Sequence, residues 1–263
     1  MNLRKHILYT LAGVAVLLTA TACSGVFDGI YDEVPATPTV TEGQLLVDAT
    51  SWKDWYYVDF DSLRTYIEQK DTAGLLKAQT HFAHFPIPTT LSGGAGDGQT
   101  GIYTYWFDVF GKGISVNEKR SFTPAYSQEE PPSWSIAFHR NNVRTNGGAV
   151  LETNYKSMNE LPKSSIDFLG ATFQPDEWSE NEVWADQSQM LQSLIGCQGI
   201  KINKVLSNWL RLDIPPMPPA FTMNSHVFII RMKNGNYAAV QLENYMNAEG
   251  AKCWLTINYK YPY

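Results

Sequence analysis

The pattern of apolar and polar positions predicts strands near both ends of the chain. Apolar residues alternate with polar ones, or aromatic residues cluster, over residues 44–49, 54–60, 227–232, 237–242 and 253–261. Asn234-Gly235 separates two of these segments, so we expect a hairpin closed by a two-residue type I′ turn. The chain is therefore predicted to be a mostly β protein.

One further strand is predicted in the middle of the chain. Trp134, Ile136 and Phe138 alternate with Ser135, Ala137 and His139, which predicts a strand with one buried face. The polar run at residues 140–146 and the pair Gly147-Gly148 are poor strand formers, so we expect the chain to turn and leave the sheet there.

The sequence after this strand is more polar. Short strands are predicted at residues 149–151 and 167–173, and residues 175–199 are predicted to form long loops with a helical turn near residues 188–194. Loops of such length often carry functional residues.

Residues 61–77 interrupt the β pattern. Leu63, Tyr66 and Ile67 have helical spacing, and Asp61 or Ser62 is a possible N-cap, so a short helix is predicted. Beyond it, His81 and His84 are three residues apart, but the following Phe85-Pro-Ile-Pro argues against a helix that would bring them together, and packing or surface roles are favoured over metal binding. The glycine-rich residues 92–101 lack the Gly-Lys-Ser/Thr of a phosphate loop and predict a connection between strands.

Length and composition indicate one domain. A chain of 263 residues with 44% hydrophobic residues can form a single β domain, and a net charge of -6 gives no indication of nucleic-acid binding. The sequence has no Gly-x-Ser-x-Gly and no His-Glu-x-x-His, so the protein is not expected to be an enzyme.

The N-terminal residues predict export and lipidation. Basic residues, an apolar run and the small residues before Cys23 indicate a lipoprotein signal peptide at residues 1–22, followed by acylation of Cys23. Residues 23–41 then form a flexible tether that carries the β domain, residues 42–263, at the outer membrane and on the cell surface. The alternative is an ordinary secretory signal in which Cys23 is incidental.

Two cysteines remain in the domain. Cys197 and Cys253 form an even pair in an oxidising compartment, where a disulfide is permitted, and two free buried thiols are the alternative.

Three segments carry a resemblance to a known family. The central Trp-x-Ile-Ala-x-His-Arg that begins at Trp134, the opening segment 47–57, and a closing segment made of residues 233–245 followed by 253–262 resemble the HmuY family of haem-binding lipoproteins of Bacteroidetes. The resemblance implies a single antiparallel β domain whose long loops grip haem from both sides. Relative to the family, residues 62–103 look like an insertion.

The resemblance also implies where the iron ligands lie. Early members of the family use two histidines on loops after the central strand, but here no histidine lies between His139 and His226. Related members replace histidine with methionine, and the matching positions here are Met158 and Met190. We therefore expect these two residues to be the axial ligands of haem b, with Tyr155 and His139 as fallback ligands. His139 and His226, on strands, are otherwise expected to be structural.

The function implied by the resemblance is iron acquisition. A surface hemophore would take haem from host haemoproteins and deliver it to a TonB-dependent receptor of the outer membrane. A surface lipoprotein of the same fold that binds glycans or proteins, and no haem, is the alternative.

Overall fold

The computed structural model describes residues 40–88, 101–105, 107–108, 118–122, 127–186, 194–213 and 220–263. The predicted signal peptide, Cys23 and nearly all of the tether lie outside these residues, as does Met190. Of the glycine-rich segment only Gly101 is described, and its role stays a prediction. Among the described residues, no helix has the length and hydrophobicity needed to cross a membrane.

Strands dominate the described part of the chain. They are β1 (Gln44–Asp48), β2 (Asp54–Val58), β3 (Ala83–Pro86), β4 (Gly101–Tyr105), β5 (Phe107–Asp108), β6 (Glu118–Phe122), β7 (Ile136–His139), β8 (Asn142–Thr145), β9 (Ala149–Glu152), β10 (Gln174–Pro175), β11 (Glu177–Asp186), β12 (Leu194–Ile202), β13 (Leu210–Asp213), β14 (Ala220–Met223), β15 (Phe228–Arg231), β16 (Tyr237–Met246) and β17 (Lys252–Lys260). The helices are α1 (Phe60–Gln69), α2 (Thr72–Thr80) and α3 (Lys204–Ser207), and 3₁₀ turns lie at Met158–Glu160 and Ser165–Phe168.

All strand pairs among the described residues are antiparallel, which confirms the predicted fold class. The large sheet has the order β1-β17-β16-β15-β9-β10, and a second sheet has the order β3-β2-β7-β8. Smaller sheets are formed by β11-β12-β5, β13-β14 and β4-β6.

The main core joins the two larger sheets. On β17, Leu255 and Ile257 alternate with partly exposed residues and are fully buried, as the period-two pattern predicts. They share a cluster with Ile136 and Phe138 of β7 and with the first turn of α1. Each such aliphatic side chain contributes roughly 1.5–3 kcal/mol through its removal from water.

The prediction that the central strand is half-buried was wrong, because both of its faces are covered. Ile136 and Phe138 face the main core, whereas Ala137 belongs to a second cluster that contains Trp134. The same cluster also contains Val183 of β11 and Ile200 and Ile202 of β12. The strand pair β11-β12 therefore supplies an apolar cover that the local pattern does not show.

The chain also leaves this sheet later than predicted. It reverses at Arg140, whose φ is 53°, and returns as β8, which pairs with β7 from His139↔Asn142 to Ile136↔Thr145. The exit lies at Gly147, with a φ of 68°, and Gly148, where an added Cβ would lie 2.7 Å from the Arg231 carbonyl oxygen. The polar run is tolerated in β8 since its side chains bond to neighbouring segments, such as Thr145 Oγ1 to Asp176 Oδ1 at 3.0 Å.

The described residues of the segment 175–199 are mostly strands, so the prediction of long loops was wrong for them. They contribute most of β11 and β12, which pair with register shifts between Ser179 and Val183 and between Trp184 and Asp186. A β-bulge inserts extra residues and destroys strict alternation, so the strands do not show the period-two pattern. The predicted strand at 167–173 is also wrong, because Ser165–Phe168 forms a 3₁₀ turn. The helical turn predicted near 188–194 lies almost wholly outside the described residues.

Two local details of the helix and hairpin differ from prediction. The N-cap of α1 is Asp59, whose carboxylate accepts from Asp61 N at 3.2 Å and Ser62 Oγ at 2.7 Å. The hairpin between β15 and β16 has a three-residue loop: Gly235 N donates to the Met232 carbonyl and Met232 N to the Asn236 carbonyl. Gly235 has a φ of 86° and Asn234 lacks the positive φ that a type I′ turn requires.

Candidate functional site

The loop after β9 carries the first predicted ligand. This segment, residues 153–173, is named here the Met158 loop. Its start is bonded to Val227, which directly precedes β15, and to β16: Thr153 Oγ1 donates to the Val227 carbonyl at 2.6 Å, and Gln241 Nε2 donates to the Lys156 carbonyl at 2.7 Å. Val227 N donates in turn to the Tyr155 carbonyl at 2.8 Å. The loop therefore leaves the large sheet along a defined path.

Met158 lies in the first 3₁₀ turn of the loop. Ser157 caps this turn by accepting from Asn159 N at 3.2 Å, and Glu160 accepts from Lys156 N at 3.0 Å. The Met158 side chain is partly buried and packs against an apolar cluster, named here the outer cluster. Its buried members are Ala149, Phe168, Phe173, Val227, Ile229 and Ala239.

The outer cluster covers the face of the large sheet opposite the main core. Phe228 and Ile230 of β15 belong to the main core, while Ile229 of β15 and Val227, which directly precedes the strand, belong to the outer cluster. Tyr155 and Tyr237 are among the partly buried residues packed against it. This face thus presents a thioether among aromatic and aliphatic side chains.

The second half of the loop is held in place by the chain terminus. The Tyr263 hydroxyl donates to the Pro162 carbonyl at 2.8 Å, and the Tyr263 ring lies 6.2 Å from the Phe168 ring. On either side of the buried Phe168, Ile166 and Leu169 are 69% and 67% exposed. Aliphatic side chains this exposed on an anchored turn give the loop an apolar outer edge.

The structure brings together two of the predicted site residues, Met158 and Tyr155, at the outer cluster. Met190 lies outside the described residues, so its position relative to Met158 stays a prediction.

His139 lies elsewhere, on β7 of the second sheet, and is 1% exposed. Its Nδ1 is 3.1 Å from the Asp54 carbonyl oxygen, to which it donates, and burial lowers its pKa to about 4. An imidazole enclosed in this way has no open side for a ligand, which agrees with the structural role expected for it.

His226 is also engaged within the protein. Its Nδ1 lies 2.8 Å from Glu152 Oε1, and Asn224 Nδ2 donates to the same oxygen at 2.8 Å. His81 contacts the Thr80 hydroxyl, and His84 lies beside the Tyr56 ring. In the part of the chain that the structure describes, no group of three or more histidine, cysteine, aspartate or glutamate residues could hold a metal ion.

Sequence reasoning missed the residues that support Met158. Phe168 and Tyr263 fix the loop although they are far apart in the chain, and no spacing links them. The only local signal was the presence of Ile166, Phe168 and Leu169 in an otherwise polar segment, of which residues 167–173 were interpreted as a strand.

A thioether at an apolar, aromatic surface has a limited chemistry. It is neutral and soft, cannot act as a general base, and suits a soft metal carried by an apolar ligand. The described loop therefore offers a soft, neutral donor beside an apolar surface, and its residues offer no nucleophile paired with a base.

Comparison with known proteins identifies the family. Residues 51–259 match the family described as HmuY protein. The chain belongs to the HmuY family. The match includes β2 to β16 and nearly all of β17, so the resemblance seen in three segments of the sequence extends over most of the domain.

Three solved structures from other bacteria illustrate the similarity in fold. A Bacteroides vulgatus protein, provisionally described as an HmuY-like haem-binding protein, is 26% identical with a TM-score of 0.50; the match covers 84% of this chain and 91% of that one. A provisionally assigned lipoprotein of Bacteroides fragilis is 28% identical with a TM-score of 0.52, covering 86% and 94%. The HmuY analog of Tannerella forsythia, solved in its apo form, is 19% identical with a TM-score of 0.51, covers 82% and 93%, and is similar in fold. A search of curated proteins found no match.

Proposed function

We propose that this protein is a haem-binding lipoprotein of the hemophore type. Membership of the HmuY family, together with 26% identity to a protein described as HmuY-like and haem-binding, supports haem as the ligand. In this proposal the protein takes haem b from host haemoproteins and delivers it to a TonB-dependent receptor, without catalysing a reaction.

The observation that carries the proposal is the Met158 loop. It holds a partly buried thioether against the outer cluster, and its apolar edge at Ile166 and Leu169 is the kind of surface that a porphyrin ring contacts. These residues fit haem better than a hydrated metal ion, which would need charged or imidazole ligands.

Met158 and Met190 are proposed as the axial ligands. A thioether favours ferrous over ferric iron, because it is a soft neutral donor. The pair therefore predicts tighter binding of reduced haem than of oxidised haem, the opposite of what a pair of more basic imidazoles would give.

Haem titration tests the proposal and the ligands separately. The purified protein is titrated with haem under reducing and oxidising conditions, and absorbance spectra are recorded for the wild type, Met158→Ala, Met190→Ala and the double variant. We expect low-spin ferrous bands in the wild type, and at least about tenfold weaker ferrous haem binding when both thioethers are removed. Met223→Ala is the matched control, since Met223 is 39% exposed on β14 and lies outside the Met158 loop.

The outcomes have distinct meanings. No Soret change in the wild type in either redox state would overturn haem binding and leave the non-haem surface lipoprotein as the function. Low-spin bands and affinity that persist in the double variant would overturn the ligand assignment alone.

We further propose that Cys23 is lipidated and that residues 23–41 tether the domain to the outer membrane, facing outward. The small residues directly before Cys23, which are typical of a lipoprotein signal, support the anchor. The proline- and threonine-rich composition of residues 34–41 supports the tether. A surface position would place the domain where host haemoproteins and a receptor can reach it.

A further inference from the structure

A polar cavity lies at the other end of β9 from the Met158 loop. Gly148 directly precedes β9 and Thr153 directly follows it, so the cavity and the methionine are separated by the length of this strand. The cavity has a volume of about 400 Å³, within the range of small-molecule sites. The side chains that define its chemistry are Gln128, Glu130, Trp134, Arg144, Asp176 and Lys201.

Arg144 and Glu130 form one rigid wall. The Arg144 guanidinium lies 4.9, 5.3 and 4.9 Å from the ring centres of Trp55, Tyr57 and Trp134, and it also donates to the Tyr57 hydroxyl. Its Nη2 is 2.9 Å from Glu130 Oε1, and Trp134 Nε1 donates to Glu130 Oε2 at 3.2 Å. These contacts hold both charged groups in fixed positions before any ligand arrives.

Asp176, also in the lining of the cavity, is held by three hydrogen bonds. Its carboxylate accepts from Thr145 N at 2.8 Å, Thr145 Oγ1 at 3.0 Å and Asn203 Nδ2 at 3.1 Å. Lys201, on β12, differs because none of the hydrogen bonds or ion pairs of the described residues involves its ammonium, which acts on Asp176 only through its charge. The cavity thus combines acceptors that are already held in place with one donor that makes no hydrogen bond. Because the acceptors are preorganised, binding a polar ligand has a lower entropic cost of ordering side chains.

The charges and the apolar content indicate the class of ligand. Two carboxylates face two cations, so the cavity favours neither an anion nor a cation. The apolar part of the cavity is mainly Trp134, which is only 8% exposed. The indole therefore presents an edge to the cavity, and the cavity has no broad apolar face for a porphyrin or a lipid chain. A neutral ligand with many hydroxyl groups matches such closely spaced donors and acceptors.

A second hollow extends the site. It also has a volume of about 400 Å³ and shares Trp134 and Asn146 with the first. Asp61 and Lys233 line it, so it repeats the balance of one carboxylate against one cation. Because they share these two residues, the two hollows lie side by side on the surface. This arrangement suits a ligand of more than one ring.

We propose that this pair of hollows binds a neutral oligosaccharide through Glu130, Arg144, Asp176 and Lys201. The site is independent of haem, because no residue of the Met158 loop lines it. It would allow the protein to bind a glycan, such as one on a host glycoprotein, while the other end of the sheet carries haem.

The test uses the detergent-solubilised full chain on an array of neutral oligosaccharides built from glucose, galactose, mannose and N-acetylglucosamine, followed by calorimetry with the sugar that is retained. Lys201→Ala should weaken binding about tenfold, since it removes a charged hydrogen-bond donor. Asp176→Asn, which keeps the size of the side chain, should also weaken binding.

Lys204→Ala is the matched control. Lys204 is exposed, lies three residues from Lys201 and pairs with Glu177 at 3.3 Å, outside the cavity. It should bind the sugar like the wild type, and so should Met158→Ala. The proposal is overturned if no neutral oligosaccharide is retained, if Lys201→Ala and Lys204→Ala bind equally, or if peptides are retained and sugars are not. A lack of haem binding would leave it unaffected.

Discussion

At position 139 an imidazole lies edge-on to the Trp55 ring, 5.7 Å between centres, and donates to the Asp54 carbonyl. Burial is the largest cause that lowers its pKa to about 4, and neighbouring Arg140 acts in the same direction. The same enclosure that excludes His139 as a ligand therefore makes it a source of pH-dependent stability.

We predict that acidification destabilises the protein through His139. An unfolded histidine has a pKa near 6.5, so between about pH 6.5 and pH 4 the unfolded chain binds a proton that the folded chain does not. The stability that His139 contributes is fully present above about pH 6.5 and is lost as the pH falls to about 4. Over this range the free energy of unfolding falls by on the order of 3 kcal/mol because of His139.

Urea unfolding at pH 7.5 and pH 4.5 measures this effect, with His139→Asn as the comparison because its amide can still donate but does not titrate. The variant should lose less stability than the wild type between the two pH values. Burial raises the pKa of Asp176 and Glu182, but both groups are present in both proteins and cancel. An equal loss of stability in the two proteins would contradict the prediction.

At the scale of elements, backbone conformation determines the loop length of the hairpin between β15 and β16. Its sequence favours a two-residue loop, yet Gly235 alone takes a positive φ there, and the loop has three residues. Loops of this kind commonly end in a residue with a positive φ, which glycine adopts without steric cost.

We predict that Gly235→Ala destabilises the protein by roughly 1 kcal/mol, since an L-residue is strained at a φ of 86°. No atom lies within 4 Å of the added Cβ, so the cost comes from the backbone and not from a clash. Gly170→Ala, also in open space but without a positive φ, should change stability by less than about 0.5 kcal/mol. Thermal unfolding compares the two, and equal midpoints would show that the φ of Gly235 does not limit stability.

At the scale of the whole molecule, the two cysteines belong to different parts of the domain. Cys197 lies on β12 in a small cluster with Trp184 and Ile195, and Cys253 lies on β17. Both are free and are at most 1% exposed. Burial raises the pKa of the Cys197 thiol to about 12 and also raises that of Cys253, so neither is reactive in the native state.

Thiol labelling of the protein purified from membranes should therefore find no reactive thiol in the native state and two after unfolding without reductant. Zero after unfolding would indicate a Cys197–Cys253 disulfide. Three after unfolding, with one already reactive in the native protein, would mean that Cys23 carries no lipid and would contradict the proposed anchor.

Local alternation by itself determined much of the fold class. Along β17, residues such as Leu255 and Ile257 repeat every second position, and one face of that strand is solvent-accessible, so pattern and burial agree. The same reasoning predicted β1, β2 and β9 correctly to within two residues at each end. The sequence also nominated Met158, but only through the resemblance to a family, since a lone methionine is usually a packing residue.

Tertiary structure decided the remaining features of the fold and of the candidate sites, because several residues are buried by, or bonded to, residues that are distant in the chain. Ala137 is buried by β11 and β12, whose own alternation is broken by bulges. Phe168 is anchored by Tyr263, about a hundred residues later, and the polar cavity exists only where Arg144, Asp176 and Lys201 meet at strand ends. Such contacts depend on how the sheets pack and leave no periodic trace in the sequence.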